Sequence, residues 1–214
     1  MRKIFGSPAQ MSKVAGLCLG LLLAIGDLSE AQAALSPVPE NNIQSFYATL
    51  LMTMKSGPAL GESGRYARVA PVVQQLFDVP YMARFAVGPS WASLSPTQQQ
   101  QIISAFGRYI AATYAYNFES YSGEQLQVLG ERPFGDGILV QTRIVKSDGE
   151  PVMINYLMRQ NGGRWQIDDI YLDGTISQLT VQRSEFTSIL QNQGVNALIS
   201  ALSRKVIVLT KSSS

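Results

Sequence analysis

The chain has 214 residues, and its 17 lysines and arginines nearly balance its 15 acidic residues, for a formal net charge of +2. That balance, without basic clusters, argues against a nucleic-acid partner, because nucleic-acid binding needs a positive footprint. The chain contains no histidine, which excludes His-based catalytic triads, imidazole general bases and HExxH zinc sites.

The first 33 residues have the three parts of an export signal. Basic residues precede an apolar run at residues 14–26, and Ala31-Gln32-Ala33 is a small-x-small cleavage site. The run is too short for a comfortable membrane span, although an uncleaved anchor is the alternative. Cleavage after Ala33 would remove the single cysteine, Cys18. A cysteine-free exported chain is typical of the bacterial periplasm.

The rest of the chain suits one domain with a sizeable core. We predict that this domain covers residues 34–210 and that residues 211–214 form a frayed tail. We expect a monomer.

The first half of the domain has apolar residues at helical spacing. From residue 41 this spacing predicts a helix that ends near Gly57-Pro58. A second helix is predicted around residues 66–77. Asp78 is positioned to cap a short third helix at residues 80–87.

The longest predicted helix covers residues 95–121. Ser95 offers an N-cap oxygen, and Pro96 suits the first helical position. Apolar and aromatic side chains occupy much of its circumference, which predicts that it is covered on more than one side.

After Gly123 the apolar period changes from 3.6 to 2. Alternation and turn residues predict four antiparallel strands, at residues 125–131, 138–146, 152–159 and 165–172. Asp148-Gly149 is a hairpin turn signal. Two closing helices are predicted at residues 181–193 and 196–209. The order predicts an α+β fold, a four-stranded antiparallel meander with several helices packed on it.

The middles of the predicted strands are apolar on both faces. Helices that cover both faces would account for this pattern, as would an internal apolar ligand cavity on one face. The sequence leaves both explanations open.

Carboxylates near the last strand are the main candidates for acid–base chemistry. Asp168 and Asp169 are adjacent in a predicted strand, so they should point to opposite faces and form no catalytic dyad. A buried Asp169 needs a partner, and we predict a structural ion pair with Arg84 or Arg183. The sequence contains no P-loop, dinucleotide or EF-hand motif, so we expect no cofactor, no metal and no catalytic residue.

Two blocks of residues in a fixed order resemble the MlaC family of periplasmic lipid-binding proteins. The first block comprises Phe77-Asp78, Met82-Ala83-Arg84, Gly88, Trp91, Ser95-Pro96, Gln98 to Gln101, Phe106 and Tyr114. The second comprises Tyr156, Gly163, Trp165, Asp169, Gly174, Arg183-Ser184 and Phe186, followed by Gly194 and Leu198. The form Gly174-Thr175-Ile176-Ser177 departs from the usual family pattern and is similar to the branch named for hopanoid biosynthesis, HpnM.

The resemblance implies a non-enzymatic carrier that moves a lipid between the inner and outer membranes. The lipid would be a hopanoid or a glycerophospholipid, and the partners would be membrane-bound transport complexes. The ligand would lie between the meander and the helices. The lining residues predicted for this site are Leu50, Met54, Phe106, Ile110, Tyr114, Val140, Ile154, Tyr156 and Ile170.

Two alternatives remain open. One is a small α+β isomerase or hydrolase that uses an Asp–Tyr pair in an apolar pocket, since such chemistry does not require histidine. The other is a periplasmic scaffold protein with a solid core.

Overall fold

The computed structural model describes residues 35–147 and 149–211. The predicted export signal, Cys18, Asp148 and the last three residues of the predicted tail lie outside the described residues. The helices are α1 (Pro39–Leu76), α2 (Val79–Val87), α3 (Pro96–Asn117), α4 (Gln178–Gln193) and α5 (Val195–Lys211), with a short 3₁₀ helix at Gly88–Ser93. The strands are β1 (Gln125–Phe134), β2 (Gly137–Val145), β3 (Pro151–Asn161), β4 (Arg164–Leu172) and β5 (Ile176–Ser177).

The sheet has the strand order β1-β2-β3-β4-β5, and every neighbouring pair is antiparallel. The predicted α+β class and the order of the four meander strands are confirmed. The predicted number of strands is wrong, because β5 adds a two-residue fifth strand that pairs Ser177 with Tyr171. Two residues are too few to show a period of two, so the sequence pattern does not reveal this strand.

The predicted end of the first helix at Gly57-Pro58 is wrong. The chain stays helical through Pro58 and Pro71, and the break between the two helical parts of α1 is at Gly61, with φ 61° and ψ −175°. That backbone conformation is essentially restricted to glycine. Gly57 is needed for a different reason, since a Cβ there would come within 1.8 Å of the carbonyl oxygen of Glu119.

A buried arginine holds the kinked region of α1 against the end of α3. Arg65 donates from Nε to the carbonyl of Ala115 and from Nη1 to the carbonyl of Gly57, both at 3.2 Å. The carbonyls at a helix C-terminus carry partial negative charge, which favours a cation there. The kink is therefore fixed by backbone oxygens.

Helix α3 begins as predicted and ends earlier. Ser95 and Gln98 form a reciprocal capping box, in which each side chain accepts a hydrogen bond from the other residue's backbone N–H. The helix ends at Asn117, before the predicted residue 121, and Phe118 leaves the helical conformation. The helix packs against α1, α2 and α5, so the prediction that it is covered on more than one side is confirmed.

The centre of the core is a cluster of aromatic rings where α1 and α3 meet the sheet. Phe46 lies edge-on to Tyr114 and Phe77, with ring centroids 5.0 and 5.8 Å apart, and to Tyr156 at 6.3 Å. Helices α1, α2 and α4 contact the sheet, and α5 packs on α3. Edge-to-face pairs of this kind stabilise a core beyond the area that they bury. They also fix α3 beside β3.

Candidate functional site

A small, largely apolar cavity lies between α2, α3, α4 and β4, with a volume of about 30 Å³. Helix α3 contributes one face over residues 106–114, α4 contributes residues from its first two turns, and β4 contributes two adjacent residues. The residues that line it are Met82, Phe106, Tyr109, Ile110, Thr113, Tyr114, Asp169, Ile170, Gln178, Leu179 and Gln182.

The cavity brings together four of the nine residues predicted to contact a lipid. Phe106, Ile110, Tyr114 and Ile170 line it. The other five are buried in the same core but do not line this cavity; they are Leu50, Met54, Val140, Ile154 and Tyr156. Lipid contact by any of the nine stays a prediction.

Sequence reasoning missed the part of the lining that comes from the start of α4. Gln178 and Leu179 were not predicted to line a site, because the predicted helix began at residue 181. Gln182 lies within that predicted helix, but no lining role was predicted for it. The missed signal was Ser177, whose side chain accepts a hydrogen bond from the backbone N–H of Thr180 at 3.0 Å as the N-cap of α4.

Three tyrosine hydroxyls lie in the interior beside the cavity. Tyr114 donates to Tyr156 at 3.5 Å. The hydroxyls of Tyr47 and Thr142 are 2.5 Å apart, and Thr142 in turn donates to the carbonyl of Ile154. Burial raises the pKa of Tyr47, Tyr114 and Tyr156 above the ordinary tyrosine value. These hydroxyls are therefore neutral and cannot serve as bases near neutral pH.

Asp169 does not form the ion pair predicted with Arg84 or Arg183. Its Oδ1 accepts from the backbone N–H groups of Ile170 at 2.7 Å and Leu179 at 3.0 Å, and its Oδ2 accepts from the hydroxyl of Ser177 at 2.6 Å. The prediction failed because α4 begins three residues earlier than expected. The early start places the backbone N–H of Leu179, in the first turn of α4, beside the carboxylate, where the helix dipole favours negative charge.

Two opposing effects act on the pKa of Asp169. Burial raises it above the ordinary aspartate value, and hydrogen bonds from Ser177, Leu179 and Ile170 partly oppose that rise. The carboxylate thus joins the end of β4 to the start of α4 through these three hydrogen bonds.

Asp168 has a separate partner. A bulge in β4 leaves it out of the ladder, since Leu157 pairs with Asp169 and Met158 pairs with Ile167. Its Oδ2 accepts from Arg159 at 2.8 Å, and Arg159 also pairs with Asp136 at 2.6 Å. The two adjacent carboxylates therefore belong to different groups of contacts.

The two arginines predicted to pair with Asp169 lie elsewhere. The guanidinium of Arg183 is 5.0 Å from the ring centroid of Phe85 and close to Gly88, where a Cβ would approach Nη2 to 3.2 Å. Arg84 lines an open surface groove that also includes Trp91 and Arg159.

Within residues 35–147 and 149–211, no group of three or more acidic residues is arranged to hold a metal ion. Nor does any helix in those ranges combine the length and apolarity that a membrane span requires.

Comparisons with known proteins converge on one family. The family model described as MlaC protein matches residues 44–204. The Haemophilus influenzae intermembrane phospholipid transport system binding protein MlaC is 25% identical over 130 residues, which are 58% of this chain. The chain spans 60% of the length of that relative.

A solved structure shares the fold. It is a phospholipid-binding protein from Ralstonia solanacearum in complex with a phospholipid, and it superposes with a TM-score of 0.67 at 23% identity. The match covers 81% of this chain and 99% of that chain.

Proposed function

The chain belongs to the MlaC family, and we propose that it is a non-enzymatic lipid carrier of the periplasm. It is exported by residues 1–33 and takes a lipid between the inner and outer membranes as a monomer. Membrane-bound transport complexes deliver the lipid to it and accept the lipid from it. Its ligand is a phospholipid or, given the form Gly174-Thr175-Ile176-Ser177, a hopanoid.

The observation that carries this proposal is the cavity between α3, α4 and β4. Its aliphatic and aromatic lining suits hydrocarbon, as ligand sites for apolar molecules require. Its lining includes one carboxylate and no lysine or arginine. A phosphate group inside it would be desolvated without a cation, so we place the lipid's hydrocarbon in the cavity and any phosphate outside.

A lipid can enter only if the cavity enlarges. Its volume is about 30 Å³, whereas ligand pockets are typically about 300–1,000 Å³. Of the helices that line the cavity, α4 has the fewest buried residues, four against five in α2 and eleven in α3, so it is the lining helix that moves at the lowest cost. We propose that α4 moves away from α3 as the acyl chain enters.

Burial of hydrocarbon supplies the driving force for that opening. At about 0.8 kcal/mol per methylene, one sixteen-carbon chain gains roughly 13 kcal/mol before the costs of opening and immobilisation. A ligand can shift a conformational equilibrium only by its differential affinity for the two states. A gain of this size is enough to favour an open state that is rare without lipid.

The enzymatic alternative has less support. An Asp–Tyr pair would need a carboxylate with a free oxygen beside a tyrosine hydroxyl. Asp169 instead accepts three hydrogen bonds at the start of α4, and Tyr114 donates to Tyr156.

Lipid loading of a cavity-filling variant tests the carrier proposal. We expect Ile110→Trp to lower the lipid occupancy of delipidated protein at least about tenfold after incubation with vesicles of phosphatidylethanolamine and phosphatidylglycerol. Native mass spectrometry would measure the occupancy. The matched control is Ile207→Trp, at a position 48% exposed on α5. A wild-type protein that takes up no lipid would exclude the carrier role, and equal loading of the two variants would exclude this cavity as the site.

A further inference from the structure

The polar side chains around the cavity mostly have partners within the protein. Thr113 and Gln178 donate to backbone carbonyls at 2.8 and 3.1 Å, Tyr114 donates to another tyrosine, and Asp169 accepts three hydrogen bonds. Gln182 differs from them. Its Oε1 is buried and accepts no hydrogen bond from any described residue.

The position of Gln182 makes this oxygen informative. The residue is 8% exposed and lines the cavity, one turn of α4 beyond Gln178. A buried acceptor without a donor is costly, and such groups in folded proteins call for an explanation. A ligand that brings a hydrogen-bond donor to Oε1 would remove this cost. The unpartnered oxygen therefore indicates that the ligand of the cavity carries such a donor.

The number and charge of the available acceptors decide which donor fits. An ammonium group brings three N–H donors and a charge that must be compensated, and three of the about four acceptor positions of the Asp169 carboxylate are already used by Ile170, Leu179 and Ser177. A hydroxyl brings one donor and no charge. One unpartnered amide oxygen therefore matches a hydroxyl better than an ammonium.

We propose that Gln182 is a specificity-determining residue whose Oε1 accepts a hydrogen bond from a hydroxyl group on the apolar body of the lipid. The site then favours a hydroxylated hydrocarbon over a plain one of the same length. This inference rests on the proposed carrier function and names the class of lipid that the cavity selects.

Binding of stearic acid and its positional hydroxy isomers tests the proposal. The affinities would be measured by displacement of a fluorescent fatty acid from the purified chain. We expect at least one isomer to bind the wild-type protein about fivefold more tightly than stearic acid, which is the usual net effect of one hydrogen bond. Gln182→Met, which keeps the length of the side chain and removes the acceptor, should reduce that preference below about twofold.

Gln193→Met is the matched control, because Gln193 is exposed on the same helix; it should keep the preference. The melting temperature supplies a second measurement. Since Gln182→Met removes a buried oxygen without a partner, we expect it to melt no lower than the wild-type protein. A fall of more than about 4 °C would show instead that Gln182 has a structural partner, and would overturn the proposal.

The outcomes separate this inference from the carrier function. If the wild-type protein binds stearic acid and no hydroxy isomer binds more tightly, the hydroxyl preference is wrong and the carrier function stands. If Gln182→Met still prefers a hydroxy isomer over stearic acid, Gln182 does not determine the preference. If the wild-type protein binds neither stearic acid nor phospholipid, the carrier function itself fails.

Discussion

Helices α3 and α4 line the same cavity and are built in different ways. Helix α3 has eleven buried residues and contacts α1, α2 and α5. Helix α4 contacts α2, α5 and β4 but has four buried residues, three of which line the cavity. An exposed capping box starts α3. The start of α4 is instead held by Ser177 and Asp169, a residue of the sheet.

The difference separates a fixed element from a movable one. The buried surface of α3 is shared with three other helices, so its displacement would disrupt the whole core. Helix α4 is attached at its start by a few strong polar contacts and along its length by a narrow apolar edge. Elements that move for ligands are drawn from the less stable parts of a fold, and α4 meets that description.

The largest expected effect concerns the core contacts of α3. Phe106 is 2% exposed and lies edge-on to Phe186, with ring centroids 5.1 Å apart. Phe106→Ala should lower the free energy of unfolding by about 3–5 kcal/mol, because it leaves a cavity in a packed core. Urea denaturation would measure the change. Val181→Ala, at an exposed position of α4, should stay within about 0.5 kcal/mol of wild type; similar losses in both variants would contradict the distinction between the helices.

The second-largest expected effect is the difference in stability cost between loss of the α3 cap and loss of the α4 cap. Ser95→Ala should cost about 1 kcal/mol, the usual cost of a lost N-cap. Ser177→Ala should cost about 2 kcal/mol, because it also removes a hydrogen bond to the buried carboxylate of Asp169. Hydrogen exchange followed by mass spectrometry should show faster exchange in α4 alone for Ser177→Ala.

The exposed Ser188 provides the control for that comparison. Its side chain caps no helix, and Ser188→Ala should leave both the stability and the exchange of α4 unchanged. Equal costs for the two cap variants would mean that Asp169 contributes nothing to the attachment of α4.

The smallest effect is a pH dependence of the α4 attachment. Burial raises the pKa of Asp169 in the folded protein, so the folded state holds this proton more tightly than the unfolded state does. The contribution of the group to stability therefore falls as the pH rises from about 4, its unfolded value, through the raised pKa. Relative to Asp169→Asn, the wild-type protein should gain stability when the pH is lowered through this window.

Asp136 should respond in the opposite direction. Its hydrogen bond from Arg159 lowers its pKa, so its contribution is present above the unfolded pKa and is lost as the pH falls. Urea denaturation of Asp136→Asn and Asp169→Asn at several values of pH would compare the two. The same sign for both carboxylates would show that burial does not dominate at Asp169.

Much of the fold was predictable because its signals are local. Ser95, Pro96 and Gln98 start α3 through contacts within four residues of one another, and strand alternation identified the four long strands. The errors occurred where distant residues decide the local structure. Pro58 remains helical, and the break lies at Gly61. β5 is too short to have a pattern, and it forms because Ser177 pairs with Tyr171.

The candidate site was predictable only in part, for a similar reason. Helical spacing placed Phe106, Ile110 and Tyr114 on one inner face of α3. It did not reveal that α4 begins at Gln178, and so it missed the lining by Gln178 and Leu179. Arginine partners were predicted for Asp169, because a buried charge needs a partner and the sequence pattern indicated no other hydrogen-bond donor nearby.

By itself, the sequence determined the α+β class, the order of the meander, the absence of histidine chemistry and the resemblance to the MlaC family. The first three properties follow from composition and from periods of two and 3.6 residues, which need no knowledge of distant contacts. The resemblance rests on the ordered motif residues of the two blocks. The tertiary structure decided which inner face lines a cavity, which groups hydrogen-bond to Asp169 and that Gln182 has an unpartnered oxygen. Each of these depends on groups far apart in the chain, and only packing brings them within hydrogen-bonding distance.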